Sequence, residues 1–161
     1  MASSNFERMI QLADEVFDVK NDPGQLDINP GVMERLKQIH TSTISEYTDG
    51  NGPVAWVLVI PTTLDLMNRF IENQISEKEL FELTPLGITY EALYLCSALV
   101  LQEYRRKGIA KKLTLRAIGN ISKSHPIKAL FVWAFSKEGN LSAETIAHIS
   151  SLPLYKRSEH K

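Results

Sequence analysis

The chain has 161 residues, of which 43% are hydrophobic and 23% charged, and its formal net charge at pH 7 is −1. That length fits one domain over residues 1–161 with enough chain to bury a core. The near-neutral balance excludes the global basic field of a nucleic-acid binder, no apolar run reaches the ~20 residues that span a bilayer, and a single cysteine, Cys96, excludes a disulfide framework.

The opening residues, Met1 to Arg8, lack the apolar core of a signal peptide, so a soluble protein in a reduced, cytoplasmic setting is expected. Phe6, Met9, Ile10, Ala13, Val16 and Phe17 recur at helical spacing and predict a first helix, capped by Ser4 or Asn5. Asn21-Asp22-Pro23-Gly24 breaks it. A second helix starts near Pro30 and carries Val32, Met33, Leu36 and Ile39; proline suits a first helical turn because its missing N–H would be unpaired there.

Asp49-Gly50-Asn51-Gly52-Pro53 is a turn cluster, and Val54 to Ile60 then reads as a strand buried on both faces. Pro61 is expected to end that strand. Thr62 or Thr63 caps a helix through Leu64, Met67, Phe70 and Ile71, and Ser76 with Glu79 forms a capping box for a short further helix. Thr84-Pro85-Leu86-Gly87 closes this section.

Ala92 to Leu101 is the second clear strand. A helix follows from Lys107 or Gly108, with Ala110, Leu113, Ala117, Ile118 and Ile121 on one face, and Ile127 to Phe135 is a third strand. Glu138-Gly139-Asn140 reads as a turn, Ser142 and Glu144 open a helix to about His148, and Leu152 to Tyr155 forms a short last strand whose exposed edge a second copy of the chain could extend into a homodimer. The tail from Lys156 to Lys161 reads as polar and frayed. This order implies α/β or α+β architecture around one central sheet, with the strands of the 92–135 unit parallel.

The most informative stretch is Arg105-Arg106-Lys107-Gly108-Ile109-Ala110. It sits between a strand and a helix, so it presents backbone N–H groups at the positive end of a helix dipole, beside three cations and one glycine. That arrangement suits a phosphate. The four histidines have no metal-ligand spacing, so no metal site is expected, and Cys96 reads as a buried small hydrophobe.

With the strand before it, Ala98-Leu99-Val100-Leu101-Gln102-Glu103-Tyr104 and then Arg105 to Ala110, this stretch resembles the acyl-CoA-binding signature of the GNAT superfamily of N-acyltransferases, Gln/Arg-x-x-Gly-x-Gly/Ala. Arg105, Gly108 and Ala110 fill its specified positions. The resemblance covers roughly residues 90–136. It implies a GNAT-like mixed central sheet flanked by helices, here with a helix-rich N-terminal half and a shortened C-terminal end. It further implies that main-chain N–H groups from Arg106 to Ala110 hold the CoA pyrophosphate, that the main chain of Leu99, Val100 and Leu101 pairs with the pantetheine arm, and that the 92–101 and 127–135 strands splay around the thioester. An acetyl group would pass from acetyl-CoA directly to a primary amine of a small molecule or peptide, with no metal.

The resemblance leaves the proton-handling groups open. Some members carry a glutamate base within the signature strand; the matching position here is Tyr94, and the nearest carboxylate is Glu91. The base could equally be a water chain ended by a backbone carbonyl, or a residue from the N-terminal helices. Asn140 and Tyr155 resemble in type the C-terminal asparagine and thiolate-protonating tyrosine of many members, at wider spacing. The alternative function is an inactive GNAT-like module that binds acyl-CoA, or nothing, and regulates a partner.

Overall fold

The computed structural model of the protein describes residues 4–20, 25–26, 29–133 and 137–157. Its helices are α1 (Asn5–Lys20), α2 (Pro30–Ile39), α3 (Leu64–Ile71), α4 (Glu77–Leu83), α5 (Ile109–Ser122) and α6 (Lys137–Ser150); its strands are β1 (Ile44–Asp49), β2 (Gly52–Thr62), β3 (Ala92–Val100), β4 (Ala129–Trp133) and β5 (Leu154–Arg157). The five strands form one mixed sheet in chain order. The pairs β1–β2 and β2–β3 are antiparallel, and β3–β4 and β4–β5 are parallel.

The alternation of side chains along the central strands divides the core in two. On one face Leu58, Ile60, Ala92, Tyr94, Ala129 and Phe131 pack against α2, α3 and α4. On the other, Val57, Val59, Leu93 and Leu130 pack against α5 and α6. A smaller cluster joins Met9 of α1 to Val54 and Leu101. The helices start where their sequences supply acceptors. Thr63 Oγ1 accepts from the Leu66 N–H at 3.1 Å. Ser76 and Glu79 form the expected capping box at 3.0 and 3.1 Å. Asn29 caps α2 ahead of Pro30, and the Ser4 hydroxyl accepts from the Glu7 N–H.

Several elements differ from the sequence reading. β1 was not anticipated, because Ile44-Ser45-Glu46-Tyr47-Thr48-Asp49 has little apolar alternation; it is an edge strand held by its ladder to β2. Pro61 does not end β2. It lies inside the strand, opposite Leu93, on the flank beyond the last β1 pair at Ile44 and Leu58, where no ladder hydrogen bond is asked of it. The expected turn at Glu138-Gly139-Asn140 lies within α6, where burial of Ala143, Ile146 and Ala147 outweighs the cost of one helical glycine. β4 is shorter than expected, starting at Ala129, and residues 134–136 lie outside the described residues, as does the break at 21–24. Lys156 and Arg157 belong to β5 rather than to a frayed tail. Arg157 is buried, with its guanidinium 4.4 Å from the Phe70 ring centroid and 4.7 Å from that of Trp133, and its Nε donates to Asn73 Oδ1 at 2.7 Å. This fastens β5 to α3. The predicted α1 face is only part of its packing surface: Met9 is fully buried, whereas Phe6 and Ile10 are exposed.

Two histidines that are distant in sequence meet. The His40 and His125 rings stand edge to face at 5.9 Å, and their Nδ1 atoms accept from the N–H groups of Ser42 and Tyr90. Burial, and then His125, pushes the His40 pKa below its ordinary value. A histidine whose folded pKa is depressed loses stability as pH falls, because the unfolded chain takes the proton first. The melting temperature should therefore drop more steeply from pH 7 to pH 5, around the ordinary histidine value of about 6.5, in the native protein than in His40→Asn, which keeps an acceptor for Ser42. Thermal unfolding across that interval checks this.

Candidate active site

The site begins where two neighbouring strands part. β3 pairs with β4 only through Ala92, Leu93 and Tyr94, opposite Ala129, Leu130 and Phe131. Beyond them β3 stays with β2 as far as Val100, while Val132 and Trp133 of β4 stay with β5. The gap therefore opens toward the C-terminal ends of both strands. At its closed end lies a bulge: the β2–β3 register moves from Leu58 opposite Ser97 to Val59 opposite Leu95, leaving Cys96 as the extra residue. The Leu101 N–H donates to the Val54 carbonyl at 2.9 Å. By strand alternation Leu99 and Leu101 turn their main chain to β2, and Ala98 and Val100 turn theirs to the open edge. Of the three expected arm-pairing residues, only Val100 thus faces the gap, and its carbonyl accepts from Arg105 Nε at 2.9 Å.

The basic turn stands at the mouth of this gap. After a 3-10 turn at Gln102–Tyr104, Arg105 is extended, Arg106 has φ 64° and Gly108 has φ 75°, and α5 starts at Ile109. Among the described residues no acceptor takes the main-chain N–H of any residue from Arg106 to Lys111. Six consecutive main-chain donors and the positive end of a 14-residue helix lie here, in a stretch that also carries Arg105, Arg106 and Lys107, an arrangement suited to phosphate. A Cβ on Gly108 would meet nothing within 4 Å. Glycine is required by the left-handed backbone, not by close packing of helix on strand.

The approach to the turn is tied down from the other end of the chain. Arg8 grips Glu103 through two hydrogen bonds of 2.7 and 2.6 Å. That contact holds the Glu103 carboxyl down to about 2. The Tyr104 hydroxyl donates to Asp49, which also accepts from Asn5 Nδ2 at 2.9 Å and the Asn51 N–H at 2.7 Å. The Tyr104 bond, then Asn51, lowers the Asp49 pKa. Lys107 lies over the Tyr104 ring at 5.4 Å.

The three proton-handling candidates are not brought together. Glu91 lies just before β3, separated from the gap by the three β3–β4 pairs, and pairs with Lys128 at 2.7 Å. Tyr155 is 45% exposed on the edge strand β5, opposite Phe131, so β4 separates it from β3. Asn140 lies in α6. Tyr94 is fully buried at the last β3–β4 pair, its ring stacked on Phe131 with centroids 5.0 Å apart. Its hydroxyl donates to Glu77 Oε2 at 2.5 Å, and burial, followed by the Glu77 charge, pushes its pKa well up.

Glu77 is the residue that sequence reasoning missed. It is 2% exposed at the start of α4, and its carboxylate accepts from the Leu26 N–H at 2.7 Å, from Tyr94, and from Cys96 Sγ at 3.7 Å. In the sequence it is one more acid in a helical first turn, where glutamate is common for dipole reasons alone.

No family model matches the sequence, and no curated protein does either. Solved structures match in fold. A tetramutant of the BH1408 protein of Bacillus halodurans superposes with a TM-score of 0.51 at 14% identity, over 98% of this chain and 93% of that one. The NatB acetyltransferase complex bound to a bisubstrate inhibitor matches with a TM-score of 0.51 at 12% identity, over 78% of this chain. The present chain spans only 60% of that NatB chain, so the likeness is one of fold. An aminoglycoside acetyltransferase from an uncultured soil metagenomic sample, in complex with trehalose, matches with a TM-score of 0.48 at 16% identity, over 97% and 82%.

Gly108→Ala should lower stability by about 1 kcal/mol, the cost of a left-handed non-glycine residue with no accompanying clash. Urea unfolding checks this, and a loss several times larger would mean that the turn is packed more tightly than its surroundings indicate.

Proposed function

We propose that this chain, which has the GNAT fold, is an acyl-CoA-dependent N-acetyltransferase that moves an acetyl group from acetyl-CoA to a primary amine of a small molecule or peptide. The observation that carries the reading is the run of six unpaired main-chain donors from Arg106 to Lys111 at the mouth of the gap between β3 and β4. A pyrophosphate fits those donors, and the helix dipole and three cations add to its attraction. An extended arm leading away from it along β3 meets the open edge at Ala98 and Val100, where strand-like pairing is available. For Val100 this requires Arg105 to release the carbonyl and turn toward the phosphates.

When bound, acetyl-CoA supplies the activated acyl carbon; the chain supplies position. Holding the phosphates at one end and the arm along β3 aims the thioester at the closed end of the gap, beside the Cys96 bulge. The amine then reaches it from the face built by α2, α3 and α4. Attack is direct, and this single domain works in the cytoplasm without a metal. Among the described residues no helix is long and apolar enough to cross a membrane.

A second reading is an inactive module of the same fold. It is favoured by the Arg105 contact on the Val100 carbonyl and by the lack of any carboxylate within β3 itself. Calorimetric titration with acetyl-CoA, beside Gly108→Trp as a block of the phosphate turn, separates the possibilities when followed by an amine panel. Binding that is lost in Gly108→Trp, with thiol released on adding an amine, is the expected result. Binding without thiol release favours the module, and absence of binding by the native protein overturns the acetyltransferase reading.

A further inference from the structure

We propose that the buried carboxylate of Glu77 is the proton sink of the transfer, acting through the thiol of Cys96 at the closed end of the gap. This rests on the acetyltransferase reading and names the group that handles the ammonium proton. Glu77 comes from α4, on the sheet face opposite α5, so it approaches the gap from the amine's side while the phosphate turn lies at the start of α5. Tyr94 and the Leu26 N–H fix the carboxylate, and its Oε2 lies 3.7 Å from Cys96 Sγ. Cys96 is the bulged residue just past the last β3–β4 pair and is only partly buried, so it connects an enclosed charge to the opening. A fully hydrogen-bonded carboxylate beneath a bulge, at the point where the strands separate, is placed where an incoming ammonium must lose a proton.

The step balances. The Cys96 thiol gives its proton to Glu77 and takes one from the ammonium, which becomes a neutral amine. The amine attacks the acyl carbon, the C–N bond forms, and the C–S bond breaks. The departing CoA thiolate takes the second nitrogen proton and leaves as a thiol. Glu77 later returns its proton to solvent through Cys96. Glu77 is thus a positioning and proton-holding residue, Cys96 is the group that meets the amine, and Tyr94 orients Glu77 without touching substrate.

The test measures thiol release from acetyl-CoA with spermidine, an aminoglycoside and a free dipeptide as acceptors, and with water alone, beside calorimetric affinity for acetyl-CoA. Glu77→Gln keeps the shape and an acceptor for Tyr94, and should lower kcat about 100-fold while the KM and Kd for acetyl-CoA stay within about threefold. Cys96→Ala should lose about as much, and Cys96→Ser, whose hydroxyl still relays, about tenfold. Equal effects of alanine and serine at 96 would overturn the relay even if Glu77→Gln failed to fold. So would Glu77→Gln turnover within about threefold of native, or a loss of affinity matching the loss of rate. A native protein that binds acetyl-CoA and releases thiol to no acceptor overturns the relay and leaves the phosphate turn standing. One that does not bind acetyl-CoA overturns the acetyltransferase reading itself.

Discussion

Everything in this molecule that bears on chemistry depends on how few residues β3 shares with β4. Three positions hold the two halves of the sheet together. On one side β3 belongs to an antiparallel ladder that runs nearly its full length; on the other, β4 belongs to β5. Each strand satisfies its backbone with its outer neighbour, so the inner edges are left unpaired without breaking either half. The aromatic packing of Phe70, Tyr94 and Phe131 closes the sheet where the pairs stop.

The basic turn after β3 is positioned in a different way. Its own residues make few internal bonds, and two of them, Arg106 and Gly108, sit in left-handed backbone. Order is imposed from outside by residues near the N-terminus: Arg8 holds Glu103, and Asn5 shares Asp49 with Tyr104. Surface ion pairs of this kind contribute little each to stability. Here their effect is geometric, since they fix the direction in which the chain enters α5.

The turn was legible in the sequence because its signal is local: a strand, three cations, a glycine and a helix, all within a few residues. The Ser76–Glu79 capping box was legible for the same reason, and the strand–helix–strand order pointed to the parallel β3–β4 pair. What stayed hidden depends on distant partners. β1 has almost no hydrophobic pattern and exists because β2 offers it a ladder. Arg157 looks like a tail residue until Phe70 and Trp133 are brought beneath it. Glu77 lies 17 residues from Tyr94 and 19 from Cys96 in sequence, and no spacing rule links residues that are joined only by helix-on-sheet packing. The left-handed Gly108 could be named from the motif, but that its role is conformational and not steric required the empty space around it.

Pro61 carries one more consequence. It is buried near the end of β2, on the flank that β1 does not reach. Any other residue there would enclose an amide hydrogen with no strand to receive it, and an orphaned buried donor costs about 1–3 kcal/mol. Proline has no such hydrogen. It lets a strand that is two-sided along most of its length become one-sided at its end, so the hairpin can be short while β2 runs on to anchor β3 at the point where the sheet divides.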